Sequence, residues 1–256
     1  QENPLVWTAQ PTNTAGDLRI GTGSEIITAV ETRQQILVFT DRSLHAMQFL
    51  GPPFTFGMSL ISENITIASP LASIAVDDSV YWMGGEEFYV YTGQVQKLPC
   101  SVRSYVFGDF NSSQAEKVTA AVNSSFSEIW WFYPSAGSET NDKYVVFNYQ
   151  EQAWYYGTIT RSAWLDRGIA QYPIAAGLDG YLYYHEFGQD DGSVNPPAAI
   201  SSFIESSQMS IGAGDNFVFL SRLIPDVTFD GSSSPTPSVS MTLETRQFPG
   251  TAYTGT

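Results

Sequence analysis

Four aromatic and apolar runs recur along this chain: Ile36-Leu37-Val38-Phe39, Val80-Tyr81-Trp82-Met83, Ile129-Trp130-Trp131-Phe132 and Tyr181-Leu182-Tyr183-Tyr184. Their starts lie 44, 49 and 52 residues apart. A small apolar pair precedes each: Ala29-Val30, Ala75-Val76, Ala121-Val122 and Ala175-Ala176. Polar turn residues such as Asp77-Asp78-Ser79 and Gly177-Leu178-Asp179-Gly180 separate the two. A further aromatic strand follows each run, at 44–49, 88–91, 144–149 and 185–187, and the second and third units add a fourth strand, at 95–98 and 154–156. Three to four antiparallel strands every ~45 residues is the period of β-propeller blades. The innermost strand of a blade is small because blades converge on an axis, and the next is bulky because it fills the space between neighbouring sheets. The expected fold is therefore all-β, a propeller partial or complete, with repeats near 24–51, 70–100, 118–159 and 172–188. A β-sandwich is the competing reading, because it too shows short strands with frequent turns.

Helix signals are sparse. The span 113–122 reads as one short helix, and no segment keeps apolar residues at 3.6 spacing over three turns. Four blades are few for closure, so further blades are expected from additional chain. Residues 191–199, with Asp191-Gly192-Ser193 and Asn195-Pro196-Pro197, read as a linker between the 1–190 propeller region and a smaller module at 200–256. In that module 200–211, 217–229 and 239–246 look like strands of a partial β-sandwich, with an edge to be completed by further chain or a neighbouring subunit.

Composition agrees with sheets. Charged residues are only 14% of the chain and aromatics another 14%, so polarity comes from Ser, Thr, Asn and Gln and the pleated faces have rings to pack. The 26 acidic residues against 11 basic give a net charge of −15, the wrong sign for gripping nucleic acid or anionic lipid. A smooth acidic channel that DNA passes without adhering remains compatible. No apolar run approaches the ~20 residues of a membrane-spanning helix. The single cysteine, Cys100, excludes an internal disulfide framework and reads as a small buried hydrophobe.

No candidate for chemistry gathers into a site. The pairs Asp77-Asp78, Glu86-Glu87 and Asp190-Asp191 are sequence neighbours, and neighbours on a strand point to opposite faces. His45 and His185 lack a two-histidine metal spacing, and His185-Glu186 lies in an expected strand rather than a zinc-binding helix. Asp190-Asp191-Gly192 lacks the alternating oxygens of a calcium loop. Gly21-Thr22-Gly23-Ser24 has no following lysine or helix to cradle phosphate. Asn64, Asn111 and Asn123 each open a glycan-acceptor triplet, easily met by chance in a Ser- and Thr-rich chain. Trp130-Trp131 and Trp154-Tyr155-Tyr156 suit either packing between blades or sugar stacking, and packing is preferred. No catalytic, cofactor-binding or metal residue is assigned, and a non-enzymatic role is expected.

Several stretches resemble the tail proteins of short-tailed bacteriophages, in the nozzle or virion-stabilisation group. They are Ile36-Leu37-Val38-Phe39-Thr40-Asp41-Arg42-Ser43-Leu44, Val80-Tyr81-Trp82-Met83-Gly84, Glu128-Ile129-Trp130-Trp131-Phe132-Tyr133-Pro134, Asn141-Asp142-Lys143-Tyr144-Val145 and Trp154-Tyr155-Tyr156-Gly157. The resemblance covers roughly residues 3–190, with a looser match at Arg222-Leu223-Ile224-Pro225-Asp226. It implies a propeller-bearing structural protein of the virion tail, arranged as a homo-oligomeric ring, commonly of six copies, around the channel through which the genome leaves. Its partners would be a tail adaptor and fibre or needle proteins, with genomic DNA only in passing. The family carries no catalytic residues to transfer, and its chains are longer than this one. On that basis Asp77-Asp78 and Glu86-Glu87 are expected to face the lumen. Two alternatives from other classes are a secreted or surface glycan-binding propeller and a propeller glycoside hydrolase.

Overall fold

The computed structural model describes residues 5–10, 13–192, 194–206, 209, 217, 219–232, 234–248 and 250–255. The chain divides into two compact units, Gln1–Phe187 and Gly188–Thr256.

The first unit is all-β and propeller-like. Its first sheet is a four-stranded antiparallel meander of β1 (Ile26–Glu31), β2 (Ile36–Thr40), β3 (Ser43–Gly51) and β4 (Thr55–Glu63). The second holds β5 (Ser73–Val76), β6 (Ser79–Met83), β7 (Phe88–Tyr91) and β8 (Val95–Leu98). The third holds β9 (Thr119–Asn123), β10 (Glu128–Tyr133), β11 (Lys143–Asn148) and β12 (Ala153–Thr158). A fourth sheet has three strands, β13 (Ala163–Leu165), β14 (Ile174–Ala176) and β15 (Leu182–Tyr184). The first strands adjoin in series, β1 with β5, β5 with β9 and β9 with β13, as inner strands around an axis do.

Alternation along each second strand builds the seams between sheets. Trp131 turns toward the second sheet, where it is fully buried with Phe88, Ile129, Val145 and Phe147, and its indole N–H donates to the Ala72 carbonyl at 3.0 Å. Its neighbour Trp130 turns the other way and lies 5.4 Å from the Trp164 ring of the fourth sheet. Between the first and second sheets Leu37, Phe39, Leu44, Val80 and Trp82 do the same work, with Phe39 edge-on to Trp82 at 5.1 Å. Fully burying one such side chain contributes about 1.5–3 kcal/mol.

Four expectations are corrected. The first sheet has a fourth strand, β4, hidden in sequence because Gly51-Pro52-Pro53 reads as a break when it is the tip of a long hairpin. The fourth sheet begins one strand early: β13 is its inner strand, Ala175 and Ala176 sit on its second strand, and Leu182–Tyr184 form its third. Trp164 on β13 masks this, because small residues are what mark the inner strands of the other sheets. The helix expected at 113–122 is instead a 3-10 stretch, Ser112–Lys117, followed by strand β9. A helix appears where none was expected, α1 (Arg103–Asp109), whose Val106 is buried in the core under Phe88 and Trp131.

In the second unit the described residues form two short ladders, β16 (Asp190–Asp191) with β17 (Ala198–Ala199) and β18 (Glu244–Thr245) with β19 (Thr254–Gly255). Ala198–Ala199 therefore serves as one side of a ladder within the stretch expected to be linker. Of the strands expected at 200–211, 217–229 and 239–246, the described residues form only Glu244–Thr245, and 207–208, 210–211 and 218 lie outside the described residues. A strand forms where a neighbour takes its backbone hydrogen bonds, and apolar pattern alone supplies none.

Candidate functional site

Two carboxyl groups, a histidine and several large rings converge at the seam between the third and fourth sheets, beside the β9–β10 turn. The β9–β10 turn brings Asn123, fully buried, back over Glu128, whose residue is 9% exposed. Glu128 is saturated with donors. The Tyr155 hydroxyl of β12 donates to Oε1, the Trp130 indole donates to Oε2 at 2.9 Å, and the Asn123 amide reaches Oε2 at 3.5 Å. The same amide nitrogen donates to Glu186 Oε1 at 3.1 Å, so one side chain bridges two carboxyl groups. Glu186 stands just past β15 with φ of 58°, a left-handed backbone that a non-glycine residue adopts only when its surroundings hold it there.

The electrostatics follow from this placement. Partial desolvation, and then the charge of Glu128, raises the Glu186 carboxyl above its ordinary range, and the Asn123 bond opposes the rise only in part. Burial, then donation to Glu128, pushes the Tyr155 phenol far up, so it stays protonated as a donor. Beside them His185 is lowered to about 4 by burial and by the Arg161 guanidinium, whose Nε donates to His185 Nε2 at 3.0 Å. Neutral His185 lies 4.7 Å from the Trp164 ring, and Arg161 sits 4.4 Å over Tyr183. Rings complete the cluster: Tyr144 stacks on Trp130 at 4.7 Å, and Gly157 opposite leaves the room that the Tyr144 ring occupies. Chemically this is a carboxyl pair, one member buried and bonded on both oxygens, the other at the surface and able to take up a proton.

Sequence reasoning missed this pair because it compared neighbours. Glu128 and Glu186 are 58 positions apart, and neither spacing nor composition links them. The one available signal was Glu128 itself, a carboxylate at the start of an otherwise apolar aromatic strand.

The candidates singled out from sequence are dispersed. Asp77 and Asp78 sit in the β5–β6 turn and pair with Arg33 at 3.7 and 3.5 Å. Glu87 pairs with Lys97 at 3.2 Å and Arg103 at 3.0 Å in the β6–β7 connection. Consecutive turns of a meander lie at opposite ends of a sheet, so these two acidic pairs share no common face and neither lies on inner strand β5. His45 is buried and bonds Ser43 Oγ at 3.0 Å, a serine and histidine pair with no access for substrate. In the Gly21–Ser24 loop the Ser24 N–H and hydroxyl both hold Asp41 at 2.8 Å, an internal carboxylate in the place of a phosphate, and these bonds lower Asp41 to about 2. Asn123, being buried, is closed to a glycan, and the Asn111 amide already donates to the Ser138 carbonyl at 2.8 Å. Trp154 donates to the Pro99 carbonyl at 2.8 Å, and Tyr156 stacks on Tyr105 at 4.0 Å. Burial raises the Cys100 thiol to about 11, leaving it unreactive at neutral pH.

Two shallow depressions lie elsewhere. One of about 430 Å³ runs beside α1, along Glu86, Arg103 and Phe107. The other, about 400 Å³, runs between Gln35, Gln48 and Thr92. Among the described residues no three His, Cys, Asp or Glu side chains gather to hold a metal, and no helix is long and apolar enough to cross a membrane.

No family model matches the chain and no curated protein matches it. Among solved structures it is similar to the extracellular domain of a protein assigned as a one-component system of B. thetaiotaomicron. That match has 11% identity and a TM-score of 0.43, and covers 67% of this chain but 22% of the other. It is also similar to a chain of an S. cerevisiae assembly of Dbp5 bound to Nup159, Gle1, IP6 and ADP. There the identity is 10% and the TM-score 0.29, with 59% of this chain and 57% of the other covered. This chain thus spans under a quarter of the first neighbour and just over half of the second. At these values neither likeness bears on function.

Proposed function

We propose that this chain is a non-enzymatic structural protein of a short-tailed bacteriophage tail, a nozzle or stabilisation component repeated in a ring around the DNA exit channel. The observation that carries the reading is where the aromatic residues of the resembling segments go. Trp82, Trp131 and Phe132 are fully buried, and Trp130 stacks in the next seam. The segments that resemble tail proteins are thus the ones that lock sheet to sheet, as a rigid building block requires. Support also comes from the second unit, which exposes Ile204, Phe217, Phe219 and Ile224 by 102%, 82%, 90% and 74%. Apolar side chains left uncovered to that degree suit contact with other chains. Within the virion those contacts would be neighbouring copies, a tail adaptor and fibre or needle proteins, with the net charge of −15 disfavouring adhesion of passing DNA. Negative-stain electron microscopy of the purified protein tests the reading: rings with a central bore are expected, and isolated single copies under all conditions would refute it.

A second reading, a propeller glycoside hydrolase, draws on the Glu128 and Glu186 pair beside Trp130 and Trp164. Such enzymes work with two carboxyl groups flanking the sugar bond. Against it, Glu128 is buried and bonded on both oxygens. Release of reducing ends from oligosaccharides, abolished by Glu186→Gln, is the outcome that would favour this reading.

A further inference from the structure

The first sheet ends in an edge that natural sheets seldom leave in this state. Residues 43–62 carry no Asp, Glu, Lys or Arg, the longest uncharged run in a chain of net charge −15. They fold as the β3–β4 hairpin, and β4 is the outermost strand of its sheet. Among the described residues nothing pairs with its outer side. Exposed edges are ordinarily guarded by charge, by brevity or by covering side chains. The outer strand of the second sheet, β8, is four residues long and carries Lys97 in an ion pair with Glu87. The outer strand of the third sheet, β12, has Trp154, Tyr155 and Tyr156 engaged by Pro99, Glu128 and Tyr105. Strand β4 is nine residues long and has its only charge at its last residue, Glu63.

Its apolar residues are ordered along one face. From Phe56 to Leu60 the pairing with β3 runs without a shift, Phe49 opposite Phe56 through His45 opposite Leu60. Within that stretch Phe56, Met58 and Leu60 share a face, and Phe56 and Leu60 are exposed by 45% and 46%. At the tip Phe49, Leu50 and Phe54 are exposed by 69%, 59% and 76%, and Leu50 folds against Gly57, where a side chain would displace it.

We propose that β4 is a self-association edge: two copies of this chain pair antiparallel through Phe56–Leu60, with Met58 opposite Met58 and each Phe56 opposite the Leu60 of the other copy. The occupant is a second copy because of charge. Two chains of −15 repel wherever acidic surfaces meet, and this hairpin is the stretch that brings edge hydrogen bonds and apolar surface together without charge. The pairing is isologous and closes at two copies, so it is a different contact from the head-to-tail contacts of a ring and does not depend on one.

Sedimentation velocity over a wide concentration range tests this. A reversible dimer is expected that tightens as salt screens the mutual repulsion. Leu60→Lys and Phe56→Lys, both at exposed positions, are each expected to weaken it by about tenfold or more, with an unchanged circular dichroism spectrum. In a Cys100→Ser background, Met58→Cys is expected to form a disulfide-linked dimer on mild oxidation, and Gln96→Cys on β8 is expected not to. A protein monomeric at every concentration, a dimer unmoved by both lysines, or equal cross-linking at Gln96 would overturn the proposal.

Discussion

The seam between the second and third sheets and the seam between the third and fourth are built from the two faces of one strand, β10, yet they work differently. On one face Ile129 and Trp131 meet Phe88, Val145 and Phe147, and the Trp131 indole N–H finds the Ala72 carbonyl, with no ionisable group among them. On the other, Glu128 and Trp130 meet Asn123, Trp164 and Glu186, and rings share the space with two carboxyl groups. The first seam depends on volume, so its response to change is a cavity. The second depends on the state of a proton, so its response is to pH.

Trp131→Ala breaks the comparison most severely. It removes a fully buried indole and orphans a carbonyl, with an expected cost of about 3–5 kcal/mol in denaturant unfolding, nearly the same at every pH. Asn123→Ala acts on the other seam. It takes away the donor shared by the two carboxyl groups, at an expected cost of about 1–3 kcal/mol near neutral pH. That cost should shrink in mild acid, where Glu186 carries a proton. A cost that does not change with pH would mean that the two carboxyl groups are not coupled.

Glu186→Gln and His185 sharpen the contrast through sign. The folded Glu186 carboxyl is raised above its unfolded value of 4.5, so its protonated form is favoured in the fold. Its contribution is complete below that value and is lost as pH rises through the folded value. Glu186→Gln should therefore melt higher than the parent at pH 8 and level with it near pH 4, a modest gap because Glu186 reaches solvent. His185 runs oppositely. Lowered from 6.5 to about 4, it contributes above 6.5, and that contribution is lost as pH falls toward 4. Thermal melts of His185→Gln should accordingly lose their acid-side slope between those values. The smallest effect belongs to Arg33→Ala: its ion pairs with Asp77 and Asp78 are solvent-exposed, and their loss should cost less than about 1 kcal/mol.

Much of the fold was legible in local pattern. Ile36–Thr40, Ser79–Met83 and Glu128–Tyr133 announce second strands because rings and branched side chains alternate there between two buried faces. The pattern failed at the end of the first unit and the start of the fourth. The expected end of the first unit is near residue 51, where the chain instead turns at a hairpin tip into β4, and the expected start of the fourth is near 172, after the inner strand that carries Trp164. Of the candidate site almost nothing was legible. Sequence neighbours on a strand face apart, and the groups that meet arrive from different sheets.

The sequence by itself determined that this chain forms sheets, how many strands each of its early units holds to within one, and which residues fill their seams. Those properties follow from the two-residue period of the strand and from the size of the side chain at each step. Only the tertiary structure decided that Glu128 meets Glu186, that Asp41 closes the Gly23 loop, and that the edge of β4 is left without a partner in its own sheet. Each depends on which sheet lies beside which, set by the packing of whole faces and written at no single position of the chain.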